Sequence, residues 1–121
     1  MNKYFLTVIF LGLIFVLSGC GQDSGDVDKN AEIIFFYGRE CPHCKIVEKY
    51  IEENKITEKI DFAEGEVYHN KNNAAFLAGK AENCGISKDS IGVPLLWANG
   101  KCYVGDKEVV DFFKNKINNN Q

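Results

Sequence analysis

Between an apolar beginning and a polar end, the chain alternates short apolar runs with segments whose apolar positions recur at helical spacing. Ile33 to Tyr37 is unbroken, which predicts a central strand covered on both faces. Cys44, Val47 and Ile51 then recur as on one helix face, Ile46 and Tyr50 widen the stripe, and Asn54 marks the stop. Ile60 to Val67 predicts a weaker strand, with Ile60 and Phe62 alternating before Gly65 interrupts. Asn72 to Cys84 predicts a second helix with Ala75, Phe76 and Gly79 or Lys80 at its turns, stopped by Gly85. Val93 to Ala98 and Lys101 to Val104 predict a hairpin around the favoured Asn99-Gly100 turn. Asp106 fits an N-cap for a last helix that turns Val109, Val110, Phe112, Phe113 and Ile117 inward.

Strand-helix-strand-helix-strand-strand-helix, under the right-handed crossover rule, implies an α/β domain: a small mixed sheet with helices on both faces. Trp97, Phe35, Phe36, Phe112 and Phe113 read as core. Asp61, Glu64 and Glu66 read as a solvated face, with one of them a candidate proton acceptor beside Cys44. His69 reads as a surface histidine.

The ends differ from this body. Lys3 supplies a positive start, and Tyr4 to Leu17 is apolar but shorter than the roughly 20 residues that span a bilayer. Leu17-Ser18-Gly19-Cys20 follows directly. It resembles the lipobox of bacterial lipoproteins, which implies cleavage before Cys20 and its diacylation; an ordinary secretory signal or a tilted membrane anchor is the bland alternative. Gly21 to Asn30 is polar and acidic and reads as a flexible tether, whose ten residues reach about 17 Å. The expected organisation is a leader over 1–19, a lipidated cysteine and tether over 20–30, a folded domain over 31–118 and a frayed tail over 119–121. The domain is then extracytoplasmic and lipid-anchored to a bacterial membrane.

The composition fits one globular domain of 121 residues, 45% hydrophobic and 26% charged. A formal charge of −3 and the lone Arg39 exclude a general nucleic-acid binder, which shows a basic face. Outside the cytoplasm, cysteines persist as disulfides or cycle through an oxidant. If Cys20 carries lipid, Cys41, Cys44, Cys84 and Cys102 remain for such chemistry.

Ile33 to Tyr37 leads straight into Gly38-Arg39-Glu40-Cys41-Pro42-His43-Cys44. A thiol is a poor nucleophile until its thiolate is stabilised, and a helix start offers unpaired N–H groups and the positive end of the dipole. Cys41 is therefore expected to be a solvent-facing nucleophile that ionises below the free-cysteine pKa of about 8.5. Cys44, one turn on, is expected to resolve a mixed disulfide at Cys41. Pro42 suits the first helical position. His43 is expected to donate to the Cys41 thiolate or to add charge when protonated; the bland alternative is an exposed histidine of no effect.

Strand, Cys41-Pro42-His43-Cys44, Gly92-Val93-Pro94 and the Asn99-Gly100 hairpin together resemble the thioredoxin fold in a glutaredoxin-sized version, over roughly 32–117. The C-P-H-C is similar to the active site of bacterial periplasmic disulfide oxidases. The stretch from Cys84-Gly85-Ile86 to Lys101-Cys102-Tyr103-Val104-Gly105 resembles thioredoxin-like domains that partner quinone-linked disulfide-generating membrane enzymes. Glutaredoxins carry C-P-Y-C and a Gly-Gly pair before the last helix, where this chain has only Gly105, so glutathione binding is not expected. The resemblance implies a four-stranded mixed sheet with about three helices. It also implies a cis Val93–Pro94 peptide against the Cys41–Cys44 pair, with the Val93 backbone offered to a substrate strand. The substrates implied are exported protein thiols and disulfides, with a membrane redox partner and no cofactor beyond the redox-active disulfide; a monomer is expected. Cys84 and Cys102 remain open among a structural disulfide, a second redox pair and two unpaired thiols. Two other classes compete: a copper or zinc delivery module using Cys41 and Cys44 with His43 or Cys84, and a non-catalytic interaction domain.

Overall fold

Side chains alternate along a strand, so the apolar run Ile33–Tyr37 (β1) sends Ile33 and Phe35 to one face and Ile34 and Phe36 to the other, and all four are buried. The computed structural model describes residues 25–121; the leader, Cys20 and the start of the tether lie outside the described residues. After β1 come α1 (Pro42–Glu53), β2 (Ala63–Glu66), α2 (Lys71–Asn83), β3 (Leu95–Ala98), β4 (Lys101–Val104) and α3 (Asp106–Asn119). The sheet order is β2-β1-β3-β4, with β1 parallel to β2 and antiparallel to β3, and β3 antiparallel to β4. This is the expected α/β arrangement, a four-stranded mixed sheet with three α-helices among the described residues.

The two faces are two cores. Helices α1 and α3 cover Phe35 and Leu96 with Val47, Ile51, Val109 and Phe113, and α2 covers Ile34, Phe36 and Leu95 with Leu77 and Ala81. Asn99 (φ 49°) and Gly100 (φ 85°) both adopt the left-handed conformation that a tight two-residue hairpin needs. Among the described residues, no helix is long and apolar enough to cross a membrane.

Five elements differ from the sequence reading. β2 begins at Ala63, and Gly65 continues it: a Cβ there would come within 3.1 Å of Phe36 and 3.3 Å of Val27, so glycine is what lets those side chains close over the strand. Ile60 and Phe62 still pack in the α1/α3 core, but ahead of the strand. β3 starts at Leu95, leaving Val93 and Pro94 in the preceding loop. In α2 the inward row is Asn73, Leu77 and Ala81, while Ala75 and Gly79 are exposed. The polar Asn73 hid that row from a hydrophobic pattern. In α1 the stripe is narrower than expected, since Ile46 is exposed. Finally, Gly105 caps α3 and Asp106 is its first helical residue.

The tether reading changes most. Within the described residues, Gly25 to Asn30 lies against the domain, and Val27 is buried in the α2 core. Its N–H donates to Asn73 Oδ1 at 2.8 Å, and Asn73 Nδ2 donates to the carbonyls of Gly25 (3.3 Å) and Glu66 (3.0 Å). Asp26 accepts from the side-chain amides of Asn70 and Asn72. A buried amide that satisfies three backbone groups outweighs the polar composition that argued for a free coil. Asn73→Ala should therefore strand the Val27 amide and the Glu66 carbonyl and cost about 3 kcal/mol, read as a lower urea midpoint with an unchanged slope.

Candidate active site

The turn out of β1 delivers Cys41 to the start of α1 as its N-cap, with extended backbone (φ −83°, ψ 115°) and Pro42 at the first helical position. The backbone N–H of Cys44 donates to Cys41 Sγ at 3.2 Å, and the Lys45 N–H bonds the Cys41 carbonyl at 3.1 Å. The sulfur thus occupies the place where serine or aspartate normally caps a helix, and an anion there meets a free amide and the dipole. Cys41 and Cys44 are joined by a disulfide across Cα atoms 5.2 Å apart.

Depth separates the two sulfurs, but less than expected. Cys44 is fully buried, and Cys41 keeps only 4% exposure, so it is not solvent-facing in this disulfide form. The cover is the loop ahead of β3: the Val93 carbonyl oxygen lies 3.7 Å from Cys41 Sγ, and the Val93–Pro94 peptide is cis. Pro94 is buried, Val93 half-buried and Gly92 exposed.

His43 is exposed, and its Nδ1 pairs with Asp106 Oδ2 at 3.1 Å. The expected bond to the Cys41 sulfur is therefore replaced by one to the first residue of α3. That bond, with the Lys107 N–H, holds the Asp106 carboxyl below its ordinary value. The pair ties the start of α1 to the start of α3, beside the site.

Glu66 corrects the solvated-face reading, since it is 1% exposed. Its Oε1 accepts from the N–H groups of Arg39 (3.1 Å) and Tyr68 (2.9 Å), and its Oε2 from that of His69 (2.8 Å). Burial raises its pKa, but the amides of His69, Arg39 and Tyr68 outweigh this and hold it below the usual carboxylate range. Glu66 is not a proton acceptor at Cys44; it clasps the turn that carries Cys41. Glu64 has its pKa raised by burial and by Glu48. The surface His69 pairs with Glu40 at 2.6 Å, and Tyr68 lies on Gly38, where a Cβ would fall 2.5 Å from its ring. Sequence reasoning missed this clasp. The side-chain-to-backbone pattern from Glu66 to residues two and three ahead was its only local signal.

Cys84, the C-cap of α2, is disulfide-bonded to Cys102 on β4 across Cα atoms 6.0 Å apart. The helix end there closes on Gly85 (φ 78°), with Ile86 N–H bonded to the Ala81 carbonyl at 3.0 Å. The bond staples α2 to the edge strand, with Cys84 Sγ 3.9 Å from the Gly100 carbonyl at the hairpin turn and Cys102 Sγ 3.7 Å from that of Lys80. Among the described residues, no group of three or more His, Cys, Asp and Glu is placed to hold a metal ion.

No protein-family model matches the chain, and no curated protein matches it. Among solved structures, it is similar to oxidized glutaredoxin 2 from Chlamydomonas reinhardtii, at 17% identity and a TM-score of 0.49, over 74% of this chain and 78% of that one. The holo form of glutaredoxin C1 from Populus tremula x tremuloides gives 17% identity and 0.49 over 72% and 71%. Glutaredoxin 1 from Francisella tularensis complexed with cacodylate gives 20% and 0.47 over 74% and 98%. The chemistry of this chain rests on its own geometry.

Two outcomes follow. A carboxyl whose pKa is depressed in the fold adds stability above its ordinary value of 4.5, and that stability is lost as pH falls through the folded value. Glu66→Gln puts a donor against the His69 amide; it should cost about 2 kcal/mol at pH 7 and flatten the acid loss, measured by urea unfolding against pH. Replacing Cys84 and Cys102 together with alanine should cost about 3 kcal/mol, as for a closed loop of this length. Cycling of Cys41–Cys44, followed by thiol alkylation and mass, should persist.

Proposed function

We propose that the protein is a membrane-tethered, extracytoplasmic thiol–disulfide oxidoreductase that exchanges disulfides with exported proteins through Cys41 and Cys44. One observation carries this reading: the outer sulfur of a C-x-x-C disulfide is the N-cap of α1 and accepts the Cys44 amide at 3.2 Å. A leaving thiolate at Cys41 is stabilised there, which makes its disulfide bonds labile.

In the oxidising direction, a substrate thiolate attacks Cys41 Sγ, breaks the Cys41–Cys44 bond and expels Cys44 as thiolate. A second substrate thiolate attacks the substrate sulfur of the mixed disulfide and expels Cys41. The substrate loses two electrons and two protons, and the protein ends as the dithiol. In the reducing direction, Cys41 thiolate attacks a substrate disulfide, and Cys44 then attacks Cys41 Sγ to release the substrate dithiol. Cys44, buried beneath, meets the Cys41 sulfur itself and re-forms the Cys41–Cys44 bond. The Val93 backbone, 3.7 Å from Cys41 Sγ, is the surface on which a substrate strand would lie. Asp106 positions His43 at the rim of the site and supplies it with a counter-charge.

Cys44→Ser should trap mixed disulfides through Cys41, visible as thiol-sensitive adducts with a cysteine peptide. The reduced wild-type Cys41 should titrate clearly below a free cysteine of about 8.5 when alkylation rate is followed against pH. An ordinary titration and no adduct would overturn the proposal. The reduction potential of the couple sets the direction of electron flow.

A further inference from the structure

A circuit of short contacts leaves the Cys41 sulfur and returns to the helix that Cys41 caps. The Val93 carbonyl lies 3.7 Å from Cys41 Sγ, and the next residue, Pro94, accepts the Gly105 N–H at 3.0 Å. Gly105 is the N-cap of α3, and Asp106 is the first residue of that helix. Asp106 Oδ2 then meets His43 Nδ1 at 3.1 Å, and His43 lies two residues past Cys41 in the first turn of α1. The Asp106 carboxylate closes the circuit. Its other oxygen accepts the Lys107 N–H at 2.8 Å, so it is fixed to its own helix start while the imidazole it holds is exposed.

Reduction changes the charge inside this circuit. When two electrons open the Cys41–Cys44 bond, Cys44 takes up a proton and Cys41 is left as a thiolate on its capping amide. Two anions, the Cys41 sulfur and the Asp106 carboxylate, then compete for one imidazole. The other charged side chains of these helix starts are engaged elsewhere: Glu40 with His69, Lys45 with Glu48, Lys107 with Asp111, and Glu108 with the Val104 N–H. Arg39, two residues before Cys41, gives its N–H to Glu66.

We propose that Asp106 is a positioning residue that withholds His43 from the Cys41 thiolate, and so makes the Cys41–Cys44 disulfide a weaker oxidant than its Cys-Pro-His-Cys sequence implies. The inference rests on the exchange reading above. An imidazole bonded to the thiolate, or charged beside it, stabilises the reduced form and strengthens the disulfide as an oxidant. Held by Asp106, the same imidazole brings a carboxylate with it, and the charge it carries when protonated is cancelled at the sulfur. The His43 bond and the Lys107 N–H keep the Asp106 carboxyl below its ordinary value, so the carboxylate stays charged through the cycle. His43 is exposed and solvent screens the pair, so the restraint amounts to a few-fold in equilibrium.

The test compares the full chain with Asp106→Asn, which removes the charge and keeps an oxygen for the Lys107 N–H, and with Asp106→Ala, which removes any bond to the imidazole. Each is made with His43 in place and with His43→Ala. One readout is the alkylation rate of reduced Cys41 against pH. The other is the equilibrium with glutathione at pH 7, in which two glutathione thiols reduce the disulfide and leave as one glutathione disulfide. With His43 present, both Asp106 variants should lower the Cys41 midpoint and shift the equilibrium toward the reduced protein by at least about three-fold. In His43→Ala the same changes should have less than half that effect. A midpoint that is unchanged or raised in both variants would overturn the proposal. An equal shift with and without His43 would also overturn it, since Asp106 would then act through its own charge alone. If Asp106→Ala loses its fold by urea unfolding, Asp106→Asn decides the matter. Reduced Cys41 that titrates as an ordinary thiol in every variant, with no adduct trapped by Cys44→Ser, would instead refute the exchange reading.

Discussion

The contact on which the active end depends is the amide of Cys44 reaching back 3.2 Å to the sulfur of Cys41. A helix start leaves its first N–H groups without partners, and a side chain that fills the N-cap satisfies one of them. Serine or aspartate would do so inertly. A sulfur in that place turns a structural requirement of the helix into a bias toward the thiolate, so folding α1 and activating Cys41 are one event. Pro42 favours the same outcome by fixing the first helical φ without a donor to spare.

The remaining elements hold that helix start in register from three sides. Glu66 receives the Arg39 amide from the β2 side, and Gly38 is small enough for Tyr68 to lie over the turn. Asp106 at the head of α3 takes His43 from the other side, and the loop before β3 brings the Val93 carbonyl onto the sulfur. A buried carboxylate is costly unless its lone pairs are satisfied. Glu66 meets that condition only while residues 39, 68 and 69 keep their places, so the carboxylate acts as a gauge of the whole turn.

Much of this was legible in the sequence, and the reasons differ by element. The two-sided burial of β1 followed from five apolar residues in a row. The α1 start followed from proline after cysteine, and the hairpin from Asn99-Gly100, because each rests on local backbone chemistry. What failed was long-range. Asn73 and Glu66 look like solvated polar residues, and only a partner far along the chain, Val27 for one and Arg39 for the other, makes their burial favourable. The strap at Gly25 was unreadable for the same cause: its apolar content is the single Val27, and its hold comes from hydrogen bonds across 44 residues or more. His43 is exposed at the start of α1, but its partner depended on where α3 begins, and the sequence suggested Asp106 as a cap instead of a helical residue free to reach sideways.

Cys41 must be shielded enough to feel the amide and still be reached by another sulfur, and its 4% exposure sharpens that conflict. Its cover is decisive. A core side chain over the sulfur would have to leave a packed cavity before any reaction, at a cost of several kcal/mol. Here the cover is a backbone carbonyl from a loop whose preceding residue, Gly92, is exposed, with nothing within 4 Å of where a Cβ would stand. Under the proposed function, a peptide strand arriving beside Gly92 and Val93 would meet backbone polar groups that it can bond, and would displace a contact instead of opening the core. Cys44 lies under no such cover and is sealed by the packed interior. Depth therefore fixes the order of events: outside sulfurs meet Cys41 first, and Cys44 acts only from within.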